Sequence, residues 1–284
     1  MHYLAMASTY DWQQKLLFLA IQLDRKGIRG STRATRLLQK FVRPVKYSLG
    51  RDISVLFPLS RTAWGPLDIE NYEAAFVRYY SSAISSMDGP VTHLDIGADI
   101  GLFTLKVLAQ CSNIEVVRAF EPGHEACDWL RRNLAALAIP AEATEAAVSN
   151  FRGRGVLRTP PGGDHAACFL DPDPSGQIDV CRIDDLGIRA ARLAMKIDVE
   201  GGEMNVLLGA ESTIRAASRF VIGLEAHPDV LSRTGIDTSE CLRLLRDWGG
   251  RAFLAAENGI TLDADTPVFS VLPRDRVFNV LAVK

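Results

Sequence analysis

The residues best placed to do chemistry begin with two groups in the middle of the chain. An apolar run, Val91–Ile96, contains Asp95 and is followed by Gly97 and Gly101. A second apolar run ends in an acid, Glu121. A strand, a glycine turn, a helix and a second strand that ends in an acid are typical of a nucleotide-type cofactor pocket.

The spacing of the glycines indicates which cofactor this pocket takes. Dinucleotide-binding loops carry G-x-G-x-x-G, whereas this loop reads Asp95-x-Gly97-x-x-x-Gly101. Such a loop suits S-adenosylmethionine, which has no phosphate and needs only a close approach of the backbone. Glu121 would then accept hydrogen bonds from the two ribose hydroxyls. The alternatives are a nicotinamide-dependent oxidoreductase and a non-catalytic binding protein with a vestigial cofactor site.

A third group of polar residues lies further along the chain. Lys196, Asp198 and Glu200 alternate in a predicted strand and therefore share one face. Central strands are covered on both faces and are expected to be apolar. The ionisable groups here would be explained by the ligand crevice beyond the carboxyl end of the strand. The next strand ends with Glu225 and His227. We expect Asp198 or Glu200 to take the proton of an acceptor hydroxyl, with His227 assisting.

Each of these residues also has a purely structural interpretation. Lys196 and Asp198 would form an ion pair, Glu203 would be an acid in the first turn of a helix, and His227 would cap the following loop.

A metal is not predicted. Asp198, Glu200 and Glu225 would be plausible oxygen ligands for a divalent cation, but no ligand spacing demands one. The five cysteines form no C-x-x-C pair, which indicates reduced thiols in a cytosolic protein.

Regular alternation of strands and helices after Pro90 must position these groups. It predicts an α/β fold with a doubly wound, mostly parallel, seven-stranded sheet. The segment 151–183 interrupts the alternation and is predicted to be an inserted hairpin. The predicted strands cover residues 91–96, 115–120, 143–148, 193–199, 220–225, 252–256 and 277–283, and the predicted helices cover 101–110, 125–137, 204–217 and 239–248.

Two regions are expected, divided at the breaker Asp88-Gly89-Pro90. Residues 1–89 form a mainly helical N-terminal extension that serves as a cap, a lid or an oligomerisation element. Within it, Ser54–Leu59 is predicted to be a short strand. Residues 90–284 form the cofactor-binding domain.

The first helix of the extension has an apolar face. We expect this face to pack in the core, and a homodimer through the N-terminal helices is the alternative. Between Asp24 and Arg61 there are ten Lys or Arg residues against two acids. This basic run is either a solvated helical face or a contact for an acidic partner or a phosphate-bearing substrate. The apolar face consists of Trp12, Leu16, Leu19, Ala20 and Leu23.

Net charge and hydropathy indicate which partners and which cellular location to expect. The formal net charge of −2 gives no reason to expect nucleic acid or an anionic membrane as the principal partner. No run is long and apolar enough to span a membrane, and the first residues lack the pattern of a signal peptide. The expected location is cytoplasmic.

Taken in order, the motifs resemble those of the FkbM-type methyltransferases. The most specific block is Lys-Ile-Asp-Val-Glu-Gly, and the resemblance runs from about Val91 to the C-terminus. It implies a class I, Rossmann-like methyltransferase fold that uses S-adenosylmethionine to methylate a hydroxyl of a sugar or secondary metabolite. The matching segments are His93–Thr104, Ala119–Pro122, Ala147–Ser149, Ile183–Leu186, Met195–Glu203, Leu208–Glu211 and Gly223–His227.

The resemblance also implies a set of cofactor-binding residues. One member departs from the family's pattern, because Asp99 stands where Asn is common. An acid there would repel the cofactor's carboxylate or bind its ammonium group. The implied set is Asp95, Gly97, Ala98, Asp99, Gly101, Glu121, Pro122, Ala147 and Asp198.

Overall fold

The computed structural model describes residues 12–59, 66–159 and 168–284. They form two compact units, one within residues 1–74 and one within residues 75–284. None of the helices in the described ranges is long and apolar enough to cross a lipid bilayer.

The first unit combines helices with a β-hairpin. Its hairpin turns at Arg51 and Asp52, which both adopt positive φ, the conformation that two-residue hairpin turns favour. The predicted strand Ser54–Leu59 is the second strand of this hairpin, and the first strand was missed. The elements are α1 (Trp12–Arg25), α2 (Ser31–Gln39), β1 (Val45–Gly50), β2 (Ile53–Phe57) and α3 (Pro66–Asn71).

Helix α1 is apolar on two opposite faces. Leu17, Phe18 and Ile21 are buried, together with Ala20. The other face is exposed, so the prediction that it packs in the core was wrong for four of its five members. Periodicity shows that a helix has an apolar face. When a helix has two such faces, only the packing of the folded chain determines which of them is buried. The exposed face consists of Trp12, Leu16, Leu19 and Leu23.

The second unit is an α/β structure with two sheets. Its helices are α4 (Ala74–Ser85), α5 (Leu102–Leu108), α6 (His124–Leu134), α7 (Glu203–Gly209), α8 (Glu211–Ala216), α9 (Pro228–Thr234), α10 (Thr238–Asp247) and α11 (Val268–Val271). Its strands are β3 (Val91–Ile96), β4 (Ile114–Phe120), β5 (Ala141–Thr144), β6 (Ala147–Val148), β7 (Gly153–Arg158), β8 (Phe169–Pro172), β9 (Ile178–Cys181), β10 (Arg192–Ile197), β11 (Arg219–Ala226), β12 (Ala252–Ala255), β13 (Ile260–Thr261) and β14 (Phe278–Val283).

The large sheet has the order β13-β12-β14-β11-β10-β3-β4-β5. The five strands from β11 to β5 are parallel, and β14, β12 and β13 join by antiparallel pairing. The chain leaves β3 toward β4 and β5 and later leaves β10 toward β11, in the opposite direction. Open α/β sheets bind ligands at the carboxyl ends of the strands beside such a switch point. The five parallel strands and the reversal of direction between β3 and β10 confirm the predicted doubly wound, mostly parallel sheet.

Three local predictions need correction. The sheet contains an eighth strand, because the two-residue β13 pairs with β12. The predicted strand 143–148 is divided between the large sheet and the small one, whose order is β6-β9-β7-β8, so the inserted hairpin is a four-stranded sheet. The predicted helix 204–217 is broken into α7 and α8. Gly209 ends α7 where a Cβ would lie 2.0 Å from the carbonyl oxygen of Ser149.

The central strands are buried on both sides. Leu94 and Ile96 of β3 and Met195 and Ile197 of β10 are at most 1% exposed, as expected of parallel strands covered on both faces. Polar residues in these two strands therefore need partners within the protein.

Candidate functional site

The loop after β3 is a tight turn held against the end of β4. Gly97 and Gly101 adopt φ of +78° and +83°, which glycine reaches without steric cost. The amides of Gly97 and Ala98 both donate to the carbonyl oxygen of Phe120, at 3.0 Å. The Asp95–Gly101 loop and the end of β4 at Glu121, about 20 residues apart in the chain, therefore meet at the carboxyl edge of the sheet.

Glu121 joins the loop to the end of β4. Its Oε2 accepts a hydrogen bond from the amide of Asp99 at 2.9 Å, and its Oε1 accepts one from the amide of Gly123 at 2.8 Å. A carboxylate has about four lone-pair positions, and an acid at this strand end is the usual partner of ribose hydroxyls. Asp99 is exposed and has φ of +47°, a conformation that Asp and Asn tolerate better than other side chains.

Lys196 links β3, β10 and the loop from a buried position. It is the register partner of Asp95 across the parallel pair, and only 3% of it is exposed. Its Nζ donates to Asp198 Oδ2 at 2.9 Å and to the carbonyl oxygen of Gly97 at 3.3 Å, and lies 3.9 Å from Asp95 Oδ1. The ion pair that the sequence left open is therefore formed, with two carboxylates rather than one.

A chain of buried hydrogen bonds supports Asp95 from behind. The Thr104 hydroxyl donates to Asp95 Oδ2 at 2.6 Å. His93 Nε2 lies 3.0 Å from Thr104 Oγ1, and Tyr80 Oη lies 3.3 Å from His93 Nδ1. Because the Thr104 proton goes to Asp95, His93 donates from Nε2 and accepts from Tyr80 at Nδ1. Burial lowers the pKa of His93 to about 4, so its ring is neutral near pH 7.

Strand β10 ends at Ile197, two residues earlier than predicted. The shared strand face therefore does not extend to Glu200, whose φ is +55°. The expected cluster forms all the same, because carboxylate oxygens of Asp198, Glu200 and Glu225 lie within 4.8 Å of one another. These are the three residues whose oxygens would suit a divalent cation, and their spacing would permit one.

Glu225 is the most perturbed member of this acidic cluster. Its Oε2 is buried and has no hydrogen-bond partner among the described residues. Burial, reinforced by the charges of Asp198 and Glu200, raises the pKa of Glu225 to about 9. Glu225 therefore carries a proton near pH 7, and the negative charge of the cluster belongs to the other two carboxylates.

Glu203 and His227 have structural roles at the edges of the cluster. Glu203 Oε1 accepts from the amides of Gly201 at 3.0 Å and Val199 at 3.4 Å, so it closes the turn before α7, and its burial raises its pKa. His227 Nδ1 accepts from the amide of Asp229 at 3.0 Å and caps α9. In its neutral form His227 therefore presents Nε2 as a donor.

The remaining predicted cofactor residues occupy different settings. Asp95 is fully buried and serves Thr104 and Lys196. Ala98 is buried in the loop, and Pro122 is half-buried after Glu121. Ala147 is buried in β6, where it pairs with Val180 of the small sheet.

Sequence reasoning missed two features of the candidate site. It considered Glu225 only as a possible metal ligand, although its position two residues before His227 at a strand end was a usable signal. It gave no role to Thr104, whose partner Asp95 lies on the preceding strand. No local pattern connects these two residues, because their contact depends on how α5 packs on β3.

The comparison with family models identifies a methyltransferase domain. A family model described as the Methyltransferase FkbM domain matches residues 95–252, which is more than half of the chain and includes the loop, Glu121 and the acidic cluster. No curated protein matches the chain. The family match favours methyl transfer over the nicotinamide-dependent alternative.

Several solved structures are similar to this chain at low sequence identity. A methyltransferase FkbM from Methylobacillus flagellatus KT is 18% identical, with 73% of this chain and 50% of that chain covered and a TM-score of 0.43. A SAM-dependent methyltransferase from Agrobacterium tumefaciens is 14% identical, with 86% and 70% covered and a TM-score of 0.45. A precorrin-6y C5,15-methyltransferase from Geobacter metallireducens GS-15 is 15% identical, with 83% and 98% covered and a TM-score of 0.40. The chain thus spans half the length of the Methylobacillus protein.

Proposed function

Because the chain belongs to the FkbM methyltransferase family, we propose that it transfers a methyl group from S-adenosylmethionine to a hydroxyl oxygen of a small molecule. The acceptor oxygen attacks the methyl carbon, the carbon–sulfur bond breaks, and S-adenosylhomocysteine leaves with the electron pair. The hydroxyl proton passes to a base on the protein. A sugar or a secondary metabolite is the expected class of acceptor.

The observation that carries this proposal is the acidic cluster beside the loop. A neutral aliphatic hydroxyl is a weak nucleophile, so its proton must be taken during the attack. Asp198 and Glu200 provide carboxylates close to the loop, and the amide of Asp198 donates to the carbonyl oxygen of Ile96 at 2.9 Å. A base is therefore available next to the segment that is expected to hold the methyl donor.

The loop and Glu121 would hold the cofactor. The loop of residues 97–101, in which Asp99 is exposed, would contact the methionine part through its backbone. Glu121 would accept hydrogen bonds from the ribose hydroxyls. Methyl transfer requires mainly alignment of oxygen, methyl carbon and sulfur, and the loop, which is hydrogen-bonded to the end of β4, would help to position the methyl donor.

We assign the proton-accepting role to Asp198. Lys196 holds its Oδ2 at 2.9 Å and thereby fixes the orientation of the carboxylate. Glu200 is the neighbouring carboxylate that stabilises the proton after transfer. His227 assists by donating from Nε2 to the acceptor, because its Nδ1 is engaged by Asp229.

The test compares binding with turnover. Calorimetry with S-adenosylmethionine is expected to show binding to the wild type and to D198N, with a far smaller change in dissociation constant than in turnover. Formation of S-adenosylhomocysteine with a panel of hydroxylated acceptors is expected to fall at least about 100-fold in D198N. D275N is the matched control, because the side chain of Asp275 is 78% exposed. Absence of cofactor binding by the wild type would indicate a vestigial site, and unchanged turnover in D198N would remove Asp198 from the mechanism.

A further inference from the structure

The exposed face of α1 is a continuous apolar stripe. Trp12, Leu16, Leu19 and Leu23 follow one another at intervals of four, three and four residues and are 68%, 44%, 52% and 37% exposed. With 3.6 residues per turn, the four side chains fall within an arc of about 60°. The buried residues Leu17, Phe18 and Ile21 lie on the opposite side, so the stripe is not needed for the unit's own core. Large exposed apolar stripes of this kind mark interaction surfaces.

Exposed cations occur on α1 and in the segment that follows it. Lys15 and Lys26 are exposed on α1 and directly after it, and the segment from Asp24 to Arg61 carries ten basic residues against two acids. Further exposed apolar side chains lie among these cations: Ile28, Leu37 and Phe41 are 51%, 58% and 68% exposed. Exposed basic residues of this segment are Arg29, Arg33, Arg36, Lys40, Arg43 and Lys46.

From this combination we infer that α1 and the basic segment after it bind the surface of an anionic lipid bilayer. A helix with Trp and Leu on one face and flanking Lys and Arg lies in the interface, where the apolar side chains enter the headgroup boundary and the cations meet lipid phosphates. The inference concerns the first unit alone and does not depend on the chemistry proposed for the second.

Charge and polarity favour this occupant over two others. A second copy of the chain would bring one basic segment against another, and like charges at an interface oppose association. A nucleic acid would satisfy the cations but would leave the Trp12 to Leu23 stripe facing a polar, charged backbone. An anionic bilayer would pair its lipid phosphates with the cations and would remove the apolar stripe from water.

The first experiment measures sedimentation of the full chain with vesicles. We expect binding to vesicles of phosphatidylcholine mixed with phosphatidylglycerol and much weaker binding to phosphatidylcholine alone. Added salt is expected to weaken the binding, because it screens the attraction between cations and lipid phosphates. Tryptophan emission is expected to shift to shorter wavelength on binding, and W12F is expected to lose most of that shift.

Three variants separate the stripe from the charges and from general apolarity. L16S/L19S and R33E/R36E are each expected to lower vesicle partitioning at least about tenfold. I236S/I260S, which replaces two apolar residues that are 39% and 38% exposed in the second unit, is expected to bind like the wild type. Circular dichroism and thermal unfolding establish that each variant is folded.

Specific results would overturn the inference. Equal binding to both kinds of vesicle, or no binding to either, contradicts it. A dimer in light scattering that L16S/L19S dissociates would assign the stripe to a second copy instead. A preference for duplex DNA over anionic vesicles would assign the basic segment to nucleic acid. Cofactor binding by the same preparation keeps these outcomes distinct from a failure of the proposed methyl transfer.

Discussion

Gly97 packs its α-carbon directly against the carbonyl group of Asp198. A Cβ at position 97 would lie 1.8 Å from the Asp198 carbonyl oxygen, well inside van der Waals contact. The loop after β3 and the turn after β10 are therefore in backbone contact, although Gly97 and Asp198 are far apart in the chain. This contact places the loop after β3 next to the acidic cluster of Asp198, Glu200 and Glu225.

Replacing Gly97 is expected to separate the two segments. G97A combines a strained positive φ with the clash against Asp198, and we expect it to lower the free energy of unfolding by at least about 3 kcal/mol. G187A is the control, because Gly187 has φ of +64° and a Cβ there would meet nothing within 4 Å, so only about 1 kcal/mol is expected. Urea unfolding measures both variants, and equal losses would show that the contact with Asp198 has no energetic weight.

The positive φ at Asp99 leads to a different expectation. D99N is expected to change the free energy of unfolding by less than about 0.5 kcal/mol, because Asn tolerates the left-handed conformation as well as Asp does. D99A is expected to lose about 1 kcal/mol. If D99N loses as much as D99A in the same denaturation experiment, the negative charge rather than the backbone conformation determines the residue at this position.

Lys196 is expected to be essential for the balance of buried charge. K196M leaves Asp95 fully buried without its cation, and we expect a loss of about 3 kcal/mol. Adding D95N to K196M is expected to restore at least about 1 kcal/mol, because the uncompensated charge is then removed. The exposed pair Arg215–Glu211, 3.1 Å apart, provides the control R215M, for which less than about 0.5 kcal/mol is expected. Strictly additive effects of K196M and D95N would contradict the pairing.

The raised pKa of Glu225 predicts a dependence of stability on pH. Its pKa is about 9 in the folded protein and 4.5 as a free carboxyl group, so the folded state holds a proton that the unfolded state releases between these values. Stability contributed by this group is complete below about pH 4.5 and is lost as the pH rises toward 9. E225Q cannot titrate and is expected to match the wild type at pH 5 and to exceed its melting temperature increasingly toward pH 9.

The comparison variant for this measurement is E115Q, since Glu115 is exposed on β4. Its melting curve is expected to follow the wild type across the whole pH range. Parallel pH profiles for wild type and E225Q would show that Glu225 is ionised in the folded protein at neutral pH.

Several features of this protein follow from its sequence alone. Alternating strands and helices predict the parallel sheet, because each pattern reflects burial that is local to its own element. The Asp95–Gly101 loop and Glu121 lie together as predicted, because a βαβ unit joins neighbouring strands at one edge. The Asp198, Glu200 and Glu225 cluster also forms, although the strand pattern used to infer its first part ends at Ile197.

Other features depend on contacts between distant segments of the chain, and only the tertiary structure determined them. The pairing of Lys196 with Asp95 requires the register of β10 against β3, and the orientation of His93 depends on Tyr80 and Thr104 from two helices. The proton on Glu225 depends on how completely neighbouring elements exclude water from it. The exposure of the Trp12 to Leu23 stripe depends on which of two apolar faces of α1 packs inward. Local sequence patterns define the faces of an element, whereas long-range packing determines what each face contacts, because burial is a property of the whole assembled chain.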